Sequence, residues 1–149
     1  VQGTQLHRRP RERFLWAAAF IVITSCSSAG HTPSGPAVNV TLKDFSIRSS
    51  MAIADAGPVE FDVYNQGPAT HEFVVVRTDI PADRLPIAAD GLSVDEDALA
   101  PVGEISEVSI WTGQTLDLRL SPGRYVFFCN LEGHYLGGMH IGFTVSGDG

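Results

Sequence analysis

From residue 38 to residue 145 apolar side chains recur at every second position in short runs separated by turn residues, which predicts half-buried strands. Val38, Val40 and Leu42 share one face. The phase slips at Lys43-Asp44 and resumes at Phe45 and Ile47, and such a slip predicts a β-bulge within one strand, residues 38–47. Val59, Phe61 and Val63 give the next strand, after a turn at Gly57-Pro58 and closed by Asn65-Gln66-Gly67-Pro68. Residues 73–76, Phe-Val-Val-Val, read as a buried strand leaving His71. Alternation then fails until about residue 107. Pro81, Pro86, Pro101 and eight acids between Asp79 and Glu107 mark a long, acidic insertion, with Ser93-Val94-Asp95-Glu96 suited to cap one helical turn. This insertion reads as a solvated cover over one sheet edge or as a surface for a partner.

Strands return at residues 108–111 and at Leu116, Leu118 and Leu120, which alternate with Asp117 and Arg119. Ser121-Pro122-Gly123 is a turn, residues 124–129 are nearly all apolar, and Met139, Ile141, Phe143 and Val145 alternate with His140, Gly142 and Thr144. Seven or eight short strands without a long helix predict an all-β sandwich with Greek-key connections over residues 38–149. With 149 residues, 44% of them hydrophobic, one domain can bury its core without disulfides.

The first segment has a different composition. Arg8, Arg9, Arg11 and Arg13 precede ten apolar residues, 14–23, a stretch of signal-peptide length and too short to span a bilayer. Ile23-Thr24-Ser25-Cys26 resembles a bacterial lipobox, which predicts cleavage after residue 25 and lipidation of Cys26; the alternative is an ordinary secretory signal with a chance Cys. Residues 26–37, small and rich in Pro, Gly and Ser, read as a flexible tether, with His31 a solvated linker residue. The remainder after residue 25 has 6 basic and 16 acidic residues, a net charge near −10. Such a balance argues against nucleic acid as a partner.

The candidate chemistry lies in the loop 129–139, Cys-Asn-Leu-Glu-Gly-His-Tyr-Leu-Gly-Gly-Met. Cys129, His134 and Met139 follow at even spacing, and thiolate, imidazole and thioether together suit copper in a His2Cys set with a weak axial Met. The second His must come from elsewhere, and His71 is the candidate. Each residue has a plainer reading: an inert buried Cys, a surface His, a lone imidazole at a strand start. His140 rivals Met139, but Met139 is in phase with core-facing Ile141, Phe143 and Val145, which leaves His140 exposed. A catalytic zinc site would want an open position that Met139 fills. With Cys26 and Cys129 in separate roles, no intramolecular disulfide remains.

The boxes N-x-G-x-x-x-H-E-F at residues 65–73 and C-N-x-x-G-H-x-x-x-G-M at 129–139 resemble the cupredoxins, the plastocyanin-like blue-copper family. The resemblance implies one type 1 copper ion held by His71, Cys129, His134 and Met139. It implies that the His134 edge emerges through an apolar patch for docking, here rimmed by Tyr135, Leu136, Gly137 and Gly138. A dinuclear copper centre would need a second Cys in the loop, and a multicopper oxidase would need His-x-His pairs; the chain has neither. One residue departs from the pattern: Glu72 stands where many members have an Asn that ties the ligand loops together. The expectation is a lipid-anchored, extracytoplasmic, monomeric electron carrier of the cell envelope, not an enzyme, passing single electrons between membrane-associated redox proteins. Copper buffering or delivery, and a partner-binding sandwich with a vestigial site, are the alternatives. Met51 is the only other Met, where delivery proteins often carry tracts of Met or His.

Overall fold

The computed structural model describes residues 35–147. The expected signal segment, Cys26, His31 and nearly all of the tether lie outside the described residues. Among the described residues there are nine strands: β1 (Ala37–Lys43), β2 (Ser46–Ser49), β3 (Ile53–Asp55), β4 (Gly57–Asn65), β5 (His71–Arg77), β6 (Gly103–Val108), β7 (Gly113–Leu120), β8 (Gly123–Phe128) and β9 (His140–Ser146). They form a four-stranded sheet in the order β2-β1-β4-β7 and a five-stranded sheet in the order β3-β9-β8-β5-β6. Two neighbour pairs, β1 with β4 and β3 with β9, are parallel, and the others are antiparallel.

The alternating residues meet between the sheets. Val38, Val40, Leu42, Val59, Phe61 and Val63 of one sheet pack against Phe73, Val75, Tyr125, Phe127, Phe143 and Val145 of the other. Phe61 stands edge-on to Phe127 with ring centroids 5.2 Å apart, and Phe127 is 4.9 Å from Phe143. Burying each such ring contributes roughly 1.5–3 kcal/mol. β5 and β8 do not alternate because they are covered on both faces. On the outer face Val74, Val76, Val126 and Phe128 pack with Leu85, Val94 and Tyr135.

Several boundaries differ from the expectation. The slip at Lys43-Asp44 is a hairpin turn, not a bulge: Lys43 pairs with Ser46, and β1 and β2 are separate antiparallel strands. Phe45 at the turn is 53% exposed, so its apolar character belongs to no core face, and its φ of 59° costs roughly 1–2 kcal/mol. The tether ends earlier than predicted, since Ala37 opens β1. Gly57-Pro58 lies inside β4, paired with β7. Residues 103–108 are β6, an edge strand on β5, so the irregular segment ends near Val102. Trp111 sits in the turn after β6 with φ 60°. No helical turn forms at 93–96. Val94 bridges to Ile87, and Asp95 Oδ1 instead accepts from Ala98 N–H in a following turn. The segment from Ala82 to Val94, including the 3-10 turn Ala82–Arg84, covers the outer face of the five-stranded sheet rather than its edge.

Candidate metal centre

Two loops at one end of the sandwich bring the donors together. His71 opens β5, and Asn65, fully buried, holds the loop before it. Asn65 Nδ2 donates to Ala69 and Val108 carbonyls, both at 2.8 Å, and Asn65 Oδ1 accepts from Gly67 N–H at 2.7 Å. Cys129 follows β8, and the chain returns through a compact loop to Met139 before β9. Within that loop His134 N–H donates to Leu131 O, Gly137 N–H to Gly133 O, and Met139 N–H to His134 O, at 2.9–3.0 Å. Cys129 N–H donates to Met139 O at 3.1 Å, which closes the loop at its base. Gly133 and Gly138 take positive φ, 78° and 102°, where a side chain would strain the turns.

His71 Nδ1 and His134 Nδ1 lie 3.9 and 3.8 Å from Cys129 Sγ, and the three donor atoms lie within 4.8 Å of one another. An ion about 2.3 Å from sulfur and about 2.05 Å from nitrogen separates the two donors by about 3.6 Å at a tetrahedral angle and about 3.8 Å at a trigonal one. The observed spacing leaves room for one ion shared by the three donors, the His2Cys set that suits copper. Met139 is fully buried beside them, and the four side chains are placed to form a single site. His71 and Cys129 are also fully buried, whereas His134 is half-exposed.

The electrostatics fit a site that takes up a cation. Burial pushes the His71 imidazole below its ordinary value, opposed by the Asp44 carboxylate, so the neutral ring with a free lone pair is favoured. Burial pushes the Cys129 thiol up, and the Glu72 and Asp44 charges push it further. The Glu72 and Leu131 backbone N–H groups work against this, the former donating to Sγ at 3.4 Å. Metal binding would release that proton. Glu72 itself is raised by burial and by the neighbouring Glu96 and Glu104, against a hydrogen bond from Asn130 N–H. The Asn130 side chain reaches the other way, accepting from Val94 N–H at 2.6 Å and donating to Glu96 at 2.6 Å.

The expected rim divides. Leu136, Gly137 and Gly138 are exposed, but Tyr135 is only 4% exposed and is not available to a partner. Its hydroxyl accepts from Leu85 N–H and donates to Ala82 O, both at 2.8 Å, because the cover over the sheet offers it polar partners that solvent would otherwise provide. His140 points away from Met139, as its phase requires, yet it is half-buried against the Tyr135 ring, 4.9 Å away, rather than exposed. Asp44 and Phe45 belong to the site's surroundings and were not anticipated; the phase slip was their only trace in the sequence.

Comparison with solved structures gives the cupredoxin fold. Auracyanin from the photosynthetic bacterium Roseiflexus castenholzii matches with a TM-score of 0.58 at 20% identity, over 74% of this chain and 96% of that one. Auracyanin B matches with a TM-score of 0.55 at 22% identity, over 77% and 91%. Rusticyanin from Thiobacillus ferrooxidans matches with a TM-score of 0.52 at 16% identity, over 76% and 79%. No family model and no curated protein matches the sequence.

Proposed function

We propose that this chain is a mononuclear blue-copper electron carrier that holds one copper ion through His71, Cys129, His134 and Met139. The observation that carries the reading is the convergence of two imidazole Nδ1 atoms and one thiol within 4.8 Å, with a buried thioether alongside. A solved relative of the fold, rusticyanin, is described as a copper protein. Bound copper would supply a one-electron couple. The protein's part is to hold donors whose positions change little between the two oxidation states. Its rigid features are the loop closed by the Cys129–Met139 backbone bond and the Asn65 anchor under His71. The Glu72 N–H that donates to the sulfur would help set the potential.

Three of the four donors are fully buried, so a bound ion would be reached by electrons through His134 more readily than surrendered to an acceptor. This favours electron transfer over copper delivery. The exposed Leu136, Gly137 and Gly138 next to His134 are the surface proposed for docking redox proteins of the cell envelope. The acidic balance of the chain suits a basic partner. Attachment to a membrane through a lipid on Cys26 belongs to this reading; among the described residues no helix is long and apolar enough to cross a membrane.

The test is the absorption and EPR of copper-loaded protein. An intense thiolate-to-copper band with reversible one-electron reduction is expected, and Cys129→Ser should abolish the band. A colourless, redox-silent protein that binds Cu(I) would instead establish delivery. Cys26→Ala should release the protein from membranes; retained attachment would remove the lipid anchor.

A further inference from the structure

The geometry points to the Asp44-Phe45 turn between β1 and β2 as a positioning element of the metal centre, with Asp44 orienting His71 and Phe45 orienting His134. This rests on the four-donor copper reading above. His71 is wholly buried, and its Nε2 faces away from Cys129 with Asp44 Oδ1 3.1 Å distant. The contact is close without being an aligned hydrogen bond, and among the described residues no other group satisfies Nε2. A carboxylate behind a ligating imidazole favours the tautomer protonated on the far nitrogen and strengthens the near one as a donor. The near atom is Nδ1, which faces the Cys129 sulfur. Asp44 Oδ1 also accepts from Ala69 N–H at 3.3 Å, so the carboxylate is held against the loop that carries His71.

Phe45 makes the second half of the element. Its ring centroid lies 5.2 Å from that of His134, tilted by 51°. A Cβ at position 137 would stand 2.2 Å from Phe45 Cδ1, so the ring rests on backbone that only Gly137 leaves bare. A bulky, half-exposed residue held at positive φ gains little from burial, and strain retained at such a place points to a role in the site it touches. One hairpin turn thus touches both imidazoles, one through charge and one through packing. The Asp44 charge stabilises a divalent ion more than a monovalent one, so its effect is to lower the reduction potential.

Asp44→Asn keeps an acceptor for Ala69 N–H and removes the charge. Its Cu(II) affinity should fall about tenfold or more, the usual effect of losing such a partner. Cu(I) affinity should fall less, and each tenfold difference between the two raises the potential by about 59 mV. Nitrogen-15 NMR of the metal-free protein should show His71 protonated on Nε2 in the wild type and a mixture of tautomers in Asp44→Asn. Asp44→Glu, which retains the charge, should shift the potential less. Gly137→Ala should displace Phe45 and alter the His134 ring signals and the copper hyperfine splitting while leaving the His71 tautomer alone. Variants that lower stability but leave tautomer, potential and hyperfine splitting unchanged would overturn the positioning role while the copper reading stands. Failure of the wild type to take up copper would overturn both.

Discussion

Replacing Tyr135 by Phe removes one oxygen from the interior and leaves the ring in place. The packing of that ring, edge-on to Phe128 at 6.1 Å and beside His140, is retained, so no cavity opens. What is lost is the pair of hydrogen bonds to Leu85 N–H and Ala82 O. The Leu85 bond is buried, and a buried donor left without a partner costs about 1–3 kcal/mol. The Ala82 carbonyl is partly exposed and can take a water, so its loss costs about 0.5–1 kcal/mol. The sum, roughly 1.5–4 kcal/mol, should lower the melting temperature of the metal-free protein by roughly 10 °C. Urea denaturation should show a lower midpoint with an unchanged slope. Exchange of the Leu85 amide should be slow in the wild type and fast in the variant. The visible band of the copper-loaded protein should persist, because no donor is removed. A change under about 0.5 kcal/mol, the range of ordinary surface substitutions, would refute the reasoning. The cover would then contribute nothing through this tyrosine.

Asn65→Ala should destabilise the metal-free protein by roughly 3–5 kcal/mol, since three hydrogen bonds end on this one buried amide; a loss under about 1 kcal/mol in chemical denaturation would contradict the anchoring role. Met139→Leu conserves volume in the core and should cost under about 1.5 kcal/mol, while copper stays bound and its potential rises in voltammetry; an unchanged potential would remove Met139 from the site. Near and below about pH 6.5 the pH dependence of the metal-free protein follows from the two histidines that burial lowers, His140 and the metal-site His71. Its folded pKa lies below the ordinary value of about 6.5, so the unfolded chain binds more protons between the two values and stability rises with pH there. Stability should therefore fall as pH drops from about 6.5 and level off below the lowered pKa. His71→Gln should flatten that part of the profile in denaturation measured across pH, and an unaltered slope would contradict the assignment.

Much of this protein was legible along the chain because the information was contiguous. Strand alternation is a local period, so the core faces of β1, β4, β7 and β9 could be read directly. Cys129, His134 and Met139 lie within one loop whose spacing is a single stretch of sequence. Where both faces of a strand are covered, as in β5 and β8, alternation vanished, and only the structure told which side chains meet the other sheet and which meet the Leu85–Val94 cover.

Tertiary structure alone decided the remaining features. Whether the His71 imidazole reaches a sulfur 58 residues away depends on the pairing of β5 with β8, which no short window contains. The same holds for Tyr135: a tyrosine beside a ligand reads as rim until a distant segment supplies the carbonyl and amide that let its hydroxyl be buried. Asp44 and Phe45 show the limit from the other side. Their phase slip was visible, but a bulge and a hairpin turn leave the same mark in an alternating pattern. Only the pairing of Lys43 with Ser46 turned that mark into a carboxylate behind one imidazole and an aromatic ring on the other.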